Sequence, residues 1–254
     1  MEVLEHTTNA FNGIVISPDH LPSDVDTFNH RLSMSLETWR KGGFQLVWLE
    51  VPIGKSEFIP VAVQTGFSFH HSGEAYLLLT RPLVENAFIP GYATHYIGAG
   101  GVVISGNNEI LVVCEKHRGS SRPYYKLPGG ALHPGEHLAE AVVREILEET
   151  GVRTSFEAMV CFRHWHGYRH GKSDIYFVCR LNPLSYDIIP QPEEIEACLW
   201  MPVEEYLTSD YVHTFNRRIV RAALASPGVV LSEVDGYSDG RRREIFMPRD
   251  MSGV

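Results

Sequence analysis

No stretch of the 254-residue chain approaches the roughly 18–20 uncharged apolar residues that a helix needs to cross a bilayer. The opening MEVLEHTTNAFNG has neither the basic start nor the apolar centre of a signal peptide, so a cytoplasmic protein is expected. Cysteine is scarce: Cys114, Cys161, Cys179 and Cys198 stand far apart inside apolar runs, with no CxxC pair. That spacing argues against a zinc ribbon or a disulfide framework and points to reduced, buried thiols. Positive charge is also short, with 22 Lys and Arg against 31 Asp and Glu and a net charge of −9. Broad nucleic-acid binding, which needs a cationic surface to displace counterions, is therefore not expected. What remains is ordinary for a globular protein: 44% apolar and 21% charged residues, in a length that holds one large domain or two modest ones.

Residues 1–90 read as a small α/β domain. FNGIVI (Phe11 to Ile16) is a short strand, and Val25, Phe28, Leu32, Leu36 and Trp39 then recur with a helical period over Ser23 to Lys41. Ser23 or Asp24 is placed as the N-cap, and Gly42-Gly43 ends the helix. FQLVWLEV (Phe44 to Val51) predicts a buried strand, Ser56 to Gln64 a second helix, and Phe67 to His70 with Ala75 to Thr80 a strand pair. The order βαβαββ implies a mixed sheet. His70-His71 is read as structural rather than metal-binding, since neighbours on a strand point to opposite faces. Pro82 to Pro90 reads as a linker.

The next segment, residues 91–225, carries the chemistry. Tyr92 to Ser105 and Glu109 to Glu115 predict two strands joined as a hairpin at Asn107-Asn108. Lys116 to Tyr124 is polar and basic, an exposed loop. Then comes GALHPGEHLAEAVVREILEETGV, Gly130 to Val152. Its carboxylates Glu145, Glu148 and Glu149 are spaced i, i+3, i+4, within an arc of about 100° on one helix surface. Three like charges so close repel one another unless a divalent cation gathers them, and hard carboxylate oxygens suit Mg²⁺ or Mn²⁺. Gly129-Gly130 and Pro134-Gly135 allow a tight loop before a helix running from about His137 to Thr150, which Gly151 ends. Leu138, Ala139, Val142 and Ile146 form its core-facing stripe, and Arg144 lies one turn from Glu140 and Glu148, placed to hold a carboxylate.

Beyond the helix, Glu157 to Phe162 and Ser173 to Leu181 predict strands flanking a basic stretch with Arg163, His164, His166, Arg169, His170 and Lys172. Trp165 and Tyr168 are interleaved with these cations. That pattern is read equally as a phosphate and nucleobase contact, by Arg163, His164 and Tyr168, or as a solvated loop. Pro202 to Tyr206 and His213 to Ala225 predict helices. Residues 226–254 form a C-terminal extension in which VVLSEV reads as a strand and GRRREIFMPRD as an exposed arm.

The stretch from Gly130 to Val152 fits G-x5-E-x7-R-E-U-x-E-E-x-G-U, with U aliphatic, at every specified position, and so resembles the Nudix box. FNG, TWRKGG–VWLEVP, GFSFHH, PGYATH and KSDIYFVCRL extend the resemblance over roughly residues 10–210. They are similar to a Nudix group with an N-terminal pre-Nudix domain. That group includes plant ADP-ribose/NADH pyrophosphatases and the vertebrate protein encoded antisense to basic fibroblast growth factor. The resemblance implies an α/β fold: a Nudix α/β/α sandwich with a mixed sheet, preceded by a small acetyltransferase-like α/β domain. It implies a Mg²⁺- or Mn²⁺-dependent pyrophosphatase in which Glu145, Glu148 and Glu149 hold metal and the Gly129 carbonyl is a further ligand. Glu136 supports the loop and sometimes a metal, and Arg144 orients the carboxylates. A glutamate before the strand that ends in Trp, chosen from Glu193, Glu194 and Glu196 with Glu194 foremost, serves as extra ligand or general base. The expected substrate is a small nucleotide, a nucleoside diphosphate linked to another moiety, with ADP-ribose or NADH first. Diadenosine polyphosphate hydrolysis stays open, because Tyr168 stands where those enzymes often carry tyrosine, while Gly167 replaces the proline of ADP-ribose enzymes. Two more readings stay open: a coenzyme A-type pyrophosphatase, recommended only by the short LLLTRPL run (Leu77 to Leu83), and a regulatory binding module. A homodimer through the N-terminal domain is expected from the family.

Overall fold

The computed structural model describes residues 3–117, 122–239 and 242–249, and the chain divides into two compact units, 1–94 and 95–254. Among the described residues no helix is long and apolar enough to cross a membrane.

The first unit contains β1 (His6–Thr8), β2 (Gly13–Ile16), α1 (Val25–Lys41), β3 (Leu46–Pro52), α2 (Phe58–Gln64), β4 (Ser68–Ser72) and β5 (Tyr76–Pro82). Asp24 caps α1 by accepting a 2.8 Å hydrogen bond from the Thr27 amide, one of the donors a helix start leaves unpaired. The sheet order is β1-β2-β3-β5-β4, with β2 and β3 parallel across the α1 crossover and the other pairs antiparallel. β1 escapes sequence reading because HTT is three residues long and has no apolar alternation.

The core forms where Phe28, Leu32, Leu36 and Trp39 of α1 meet Phe58 and Ala62 of α2 over Ile14, Val47, Leu49 and Leu79 of the sheet. The Phe28 and Phe58 rings stack at 4.4 Å with 6° between their planes. Phe28→Ala is expected to destabilise this unit by about 3–5 kcal/mol, measured by denaturant unfolding; a change below about 1 kcal/mol would show that the cavity refills. His70 and His71 do not point apart as alternation requires. A bulge between Phe69 and His71 resets the strand and brings their Nδ1 atoms to 2.7 Å.

The second unit contains β6 (His95–Val103), β7 (Glu109–Glu115), β8 (Gly129–Ala131), α3 (Leu138–Thr150), β9 (Thr154–Trp165), β10 (Ser173–Pro183), β11 (Ile195–Pro202), α4 (Val203–Thr208), α5 (Thr214–Ala225), β12 (Val229–Leu231) and β13 (Phe246–Pro248). One mixed sheet runs β13-β12-β9-β10-β6-β8, with β6 and β10 parallel, and a second pairs β11 with β7. Alternate residues of β6, β7 and β10 feed two separate cores. Val103, Leu111, Cys179 and Leu181 pack with Leu138, Val142 and Ile146 of α3, while Val102, Ile110, Val112 and Val178 pack with Val203, Tyr206, Ile219 and Val220 of α4 and α5. The result is a helix–sheet–helix sandwich, the fold class expected.

The expected β6–β7 hairpin does not form as a ladder. Among the described residues their backbones pair only at the Ile104↔Ile110 bridge and a Ser105–Glu109 turn, and each strand forms its ladder with others. Both are buried on both faces along most of their length, so neither alternation nor turn residues could assign them to partners. On α3 the buried stripe takes Ala141 rather than Ala139. The described part of the tail is not a free arm either, while Gly240, Arg241 and Asp250 of the expected arm lie outside the described residues. Phe246 packs on Phe156, and the Glu244 carboxylate accepts from the Leu138 amide, where the first turn of α3 has spare donors.

Candidate active site

The site grows from the loop into α3 and from the helix itself. Gly129 sits at φ +147° and pairs with Gly100 of β6; a Cβ there would come within 2.3 Å of the Ala99 carbonyl oxygen. Only glycine lets β8 lie this close to β6. At Gly130 a Cβ would fall 2.6 Å from Glu145 Oε2, so the missing side chain is the space the carboxylate occupies. Gly151 closes the helix in the left-handed region at φ 74°, as its place in the sequence predicts.

Arg144 organises the acidic surface. Its Nε and Nη2 grip both oxygens of Glu136 at 2.7 and 2.8 Å, its Nη1 reaches Glu145 and Glu148 at 2.9 Å each, and Nη2 also donates to the Ala131 carbonyl at 3.2 Å. The predicted partner Glu140 plays no part in these bonds. The fork matches a carboxylate bidentately, and it pulls the Glu136 carboxyl down to about 2, helped by the His133 amide. With both oxygens so engaged, Glu136 braces the loop.

Glu149 is different: 5% exposed, it accepts from the Gly129 amide at 2.8 Å, with Lys126 Nζ 4.0 Å away. Burial pushes its carboxyl up to about 7, against the opposing pull of Lys126 and the Gly129 amide. A buried carboxylate with this incomplete compensation stands to gain from further positive charge.

A cleft of about 840 Å³ joins these groups. Glu145, Glu149, Gly129 and Gly130 line it together with Glu115, Lys126, Glu194, Arg163, Tyr168, Arg169 and Tyr176. The structure thus gathers six of the sequence candidates: Gly129, Glu145, Glu149, Glu194, Arg163 and Tyr168. Glu148 is exposed, held by Arg144 and not among the residues lining the cleft, and Glu193 and Glu196 are likewise exposed and outside the lining. Arg163 and His164 part company, because they are adjacent on β9: Arg163 pairs with Asp174 at 2.5 Å on the cleft side, while His164 lies on the other face against His95.

Three cleft residues escape sequence reasoning. Glu115 ends β7 and Lys126 sits 2.5 Å from it, a pair made by folding across the loop. Tyr176 lies over Gly98 and Gly100, where a Cβ would meet its ring, and its hydroxyl approaches Gly129. The signal for Tyr176 is there as glycines recurring at period two in a strand, the mark of a large side chain laid across it.

The donor chemistry fits Mg²⁺ or Mn²⁺, which take hard oxygens. Among the described residues no three His, Cys, Asp or Glu side chains converge as placed to hold an ion. Two carboxylates, Glu145 and Glu149, with water elsewhere suit Mg²⁺, which commonly keeps several waters.

The family model described as "NUDIX domain" matches residues 94–223, and one described as "Nudix hydrolase domain" matches residues 4–83. The chain is 39% identical over 215 residues to Nudix hydrolase 2 of Arabidopsis thaliana, covering 84% of this chain and 77% of that protein. To human nucleoside diphosphate-linked moiety X motif 6 it is 34% identical over 229 residues, 87% of this chain and 72% of that one. It is 38% identical to Arabidopsis Nudix hydrolase 8 over 81% of its own length, and spans 56% of that longer relative. With its complete box folded into one glycine-rich loop and one carboxylate-bearing helix, the chain belongs to the Nudix hydrolase family.

Proposed function

We propose that the chain hydrolyses the diphosphate bond of a nucleoside diphosphate linked to another moiety, with ADP-ribose or NADH as first substrates and Mg²⁺ or Mn²⁺ as cofactor. The observation that carries this is the meeting of Glu145 and Glu149 with Lys126 and Arg163 in one cleft. When bound, the divalent ion supplies neutralisation of phosphate oxygens and a lowered pKa for water. Glu145 and Glu149 hold it, with the Gly129 carbonyl beside them. Glu148, exposed and held by Arg144, would be an outer ligand, and Glu136 and Arg144 fix the carboxylates in place. Lys126, Arg163 and Arg169 offer positive charge to the diphosphate, and Tyr168 offers a ring face to a base. Glu194, which also lines the cleft, is the general base that takes a proton from the attacking water. The same proposal takes the first unit as acetyltransferase-like and as the dimerising part of a cytoplasmic protein.

The test is release of AMP by the full chain from ADP-ribose, NADH, diadenosine polyphosphates and coenzyme A, each with Mg²⁺ or Mn²⁺. AMP from ADP-ribose or NADH, faster than from the others, is expected. Cleavage of none of them with either metal would leave the cleft as a nucleotide-binding module.

A further inference from the structure

Across the sheet from the cleft a second set of donors stands together. His95 opens β6 and His164 lies near the end of β9, flanking β10 opposite Ser173 and Ile175. Those two β10 residues share a face, the one opposite to Asp174 and Tyr176. His95 Nε2 and His164 Nε2 are 2.9 Å apart with ring planes at 35°. The His166 ring lies 4.3 Å from that of His164, turned by a 2.8 Å bond from its Nδ1 to the Ser173 hydroxyl. His164 and His166 are exposed. The proposed hydrolysis uses none of these rings.

We propose that His95 and His164 form a surface site for a d-block divalent cation, Cu²⁺, Ni²⁺ or Zn²⁺, separate from the carboxylate cleft. Two neutral imidazoles whose nitrogens face at this distance share one proton. If the donor ring moves that proton to its Nδ1, both Nε2 lone pairs can turn to a cation, with no net proton released. Metal–nitrogen bonds of about 2.0–2.1 Å place nitrogens in neighbouring coordination positions about 2.9–3.4 Å apart. The observed 2.9 Å lies in that range, and a turn of both rings, His164 exposed and His95 half-buried, brings the two facing lone pairs to a common point. Imidazole selects these ions over Mg²⁺, which keeps to oxygen. With two protein ligands, water completes the coordination and moderate affinity is expected.

The experiment is Cu²⁺ titration of the full chain carrying Glu149→Gln, to weaken competition from the cleft, followed by calorimetry and electron paramagnetic resonance. One saturable Cu²⁺ per chain with nitrogen couplings from two imidazoles is expected. His95→Ala and His164→Ala, each confirmed folded by circular dichroism, should weaken it at least about tenfold and remove one nitrogen coupling. The absence of saturable binding would overturn the proposal. So would Cu²⁺ held with unchanged affinity and couplings in both variants.

Discussion

Glu149→Gln is expected to lower kcat for AMP release by about 10²-fold or more while the protein stays folded. The carboxylate is 5% exposed and seated on the Gly129 amide, and with Glu145 it carries the negative charge of the proposed ion site. Losing it removes electrostatic stabilisation worth several kcal/mol, and each 1.36 kcal/mol is about tenfold in rate. Stability should change little, because burial already brings this carboxyl up to about 7, so a neutral amide of the same shape suits the site. Steady-state kinetics with ADP-ribose and saturating Mg²⁺, beside a thermal melt, makes the measurement. Glu148→Gln serves as the internal contrast: at 50% side-chain exposure, held by Arg144, it should cost less. Equal losses for the two, or a Glu149→Gln rate within about twofold of the parent, would mean that the buried carboxylate is structural.

A large effect on the stability of the second unit is expected at Arg180, on β10. Its Nε and Nη2 each donate to a Glu157 oxygen at 2.9 Å. Its Nη1 donates to the carbonyls of Ala223 at 2.7 Å and Ser226 at 2.8 Å, and Nη2 reaches Pro227 at 3.1 Å. One guanidinium thus joins β9 and β10 to the end of α5, where helix carbonyls have no partners of their own. Arg180→Ala removes the guanidinium from these acceptors and leaves Glu157, among the described residues, with the more distant Arg249 at 3.5 Å. A loss of about 2–4 kcal/mol follows from breaking a largely shielded, hydrogen-bonded pair. Denaturant unfolding that follows the second unit would measure it, and a shift below about 0.5 kcal/mol would show that water replaces the network.

Where a pattern is local, the sequence was sufficient. The period of Phe28, Leu32 and Leu36 locates α1, the Ser23-Asp24 pair contains its cap, Gly151 ends α3, and Glu145, Glu148 and Glu149 fall on that one helix. Where partners are distant, it was not. Glu115 with Lys126, Tyr176 over Gly98 and Gly100, and Glu244 at the start of α3 are pairings that no period encodes. Nor could composition separate Arg163 from His164, since both are cationic groups beside aromatics. Strand alternation separates them, but which face becomes the cleft depends on where α5 and β8 pack.

By itself, then, the sequence determined the family, the helix that bears the carboxylates and the hydrolytic chemistry they imply, because those rest on residue types at short, fixed spacings. Only the tertiary structure decided which carboxylate is buried and which is exposed, which cations line the cleft, and which histidines meet on the far side of the sheet. Burial and electrostatics act through space. Their partners are set by how β6, β8, β10 and α3 close around one another.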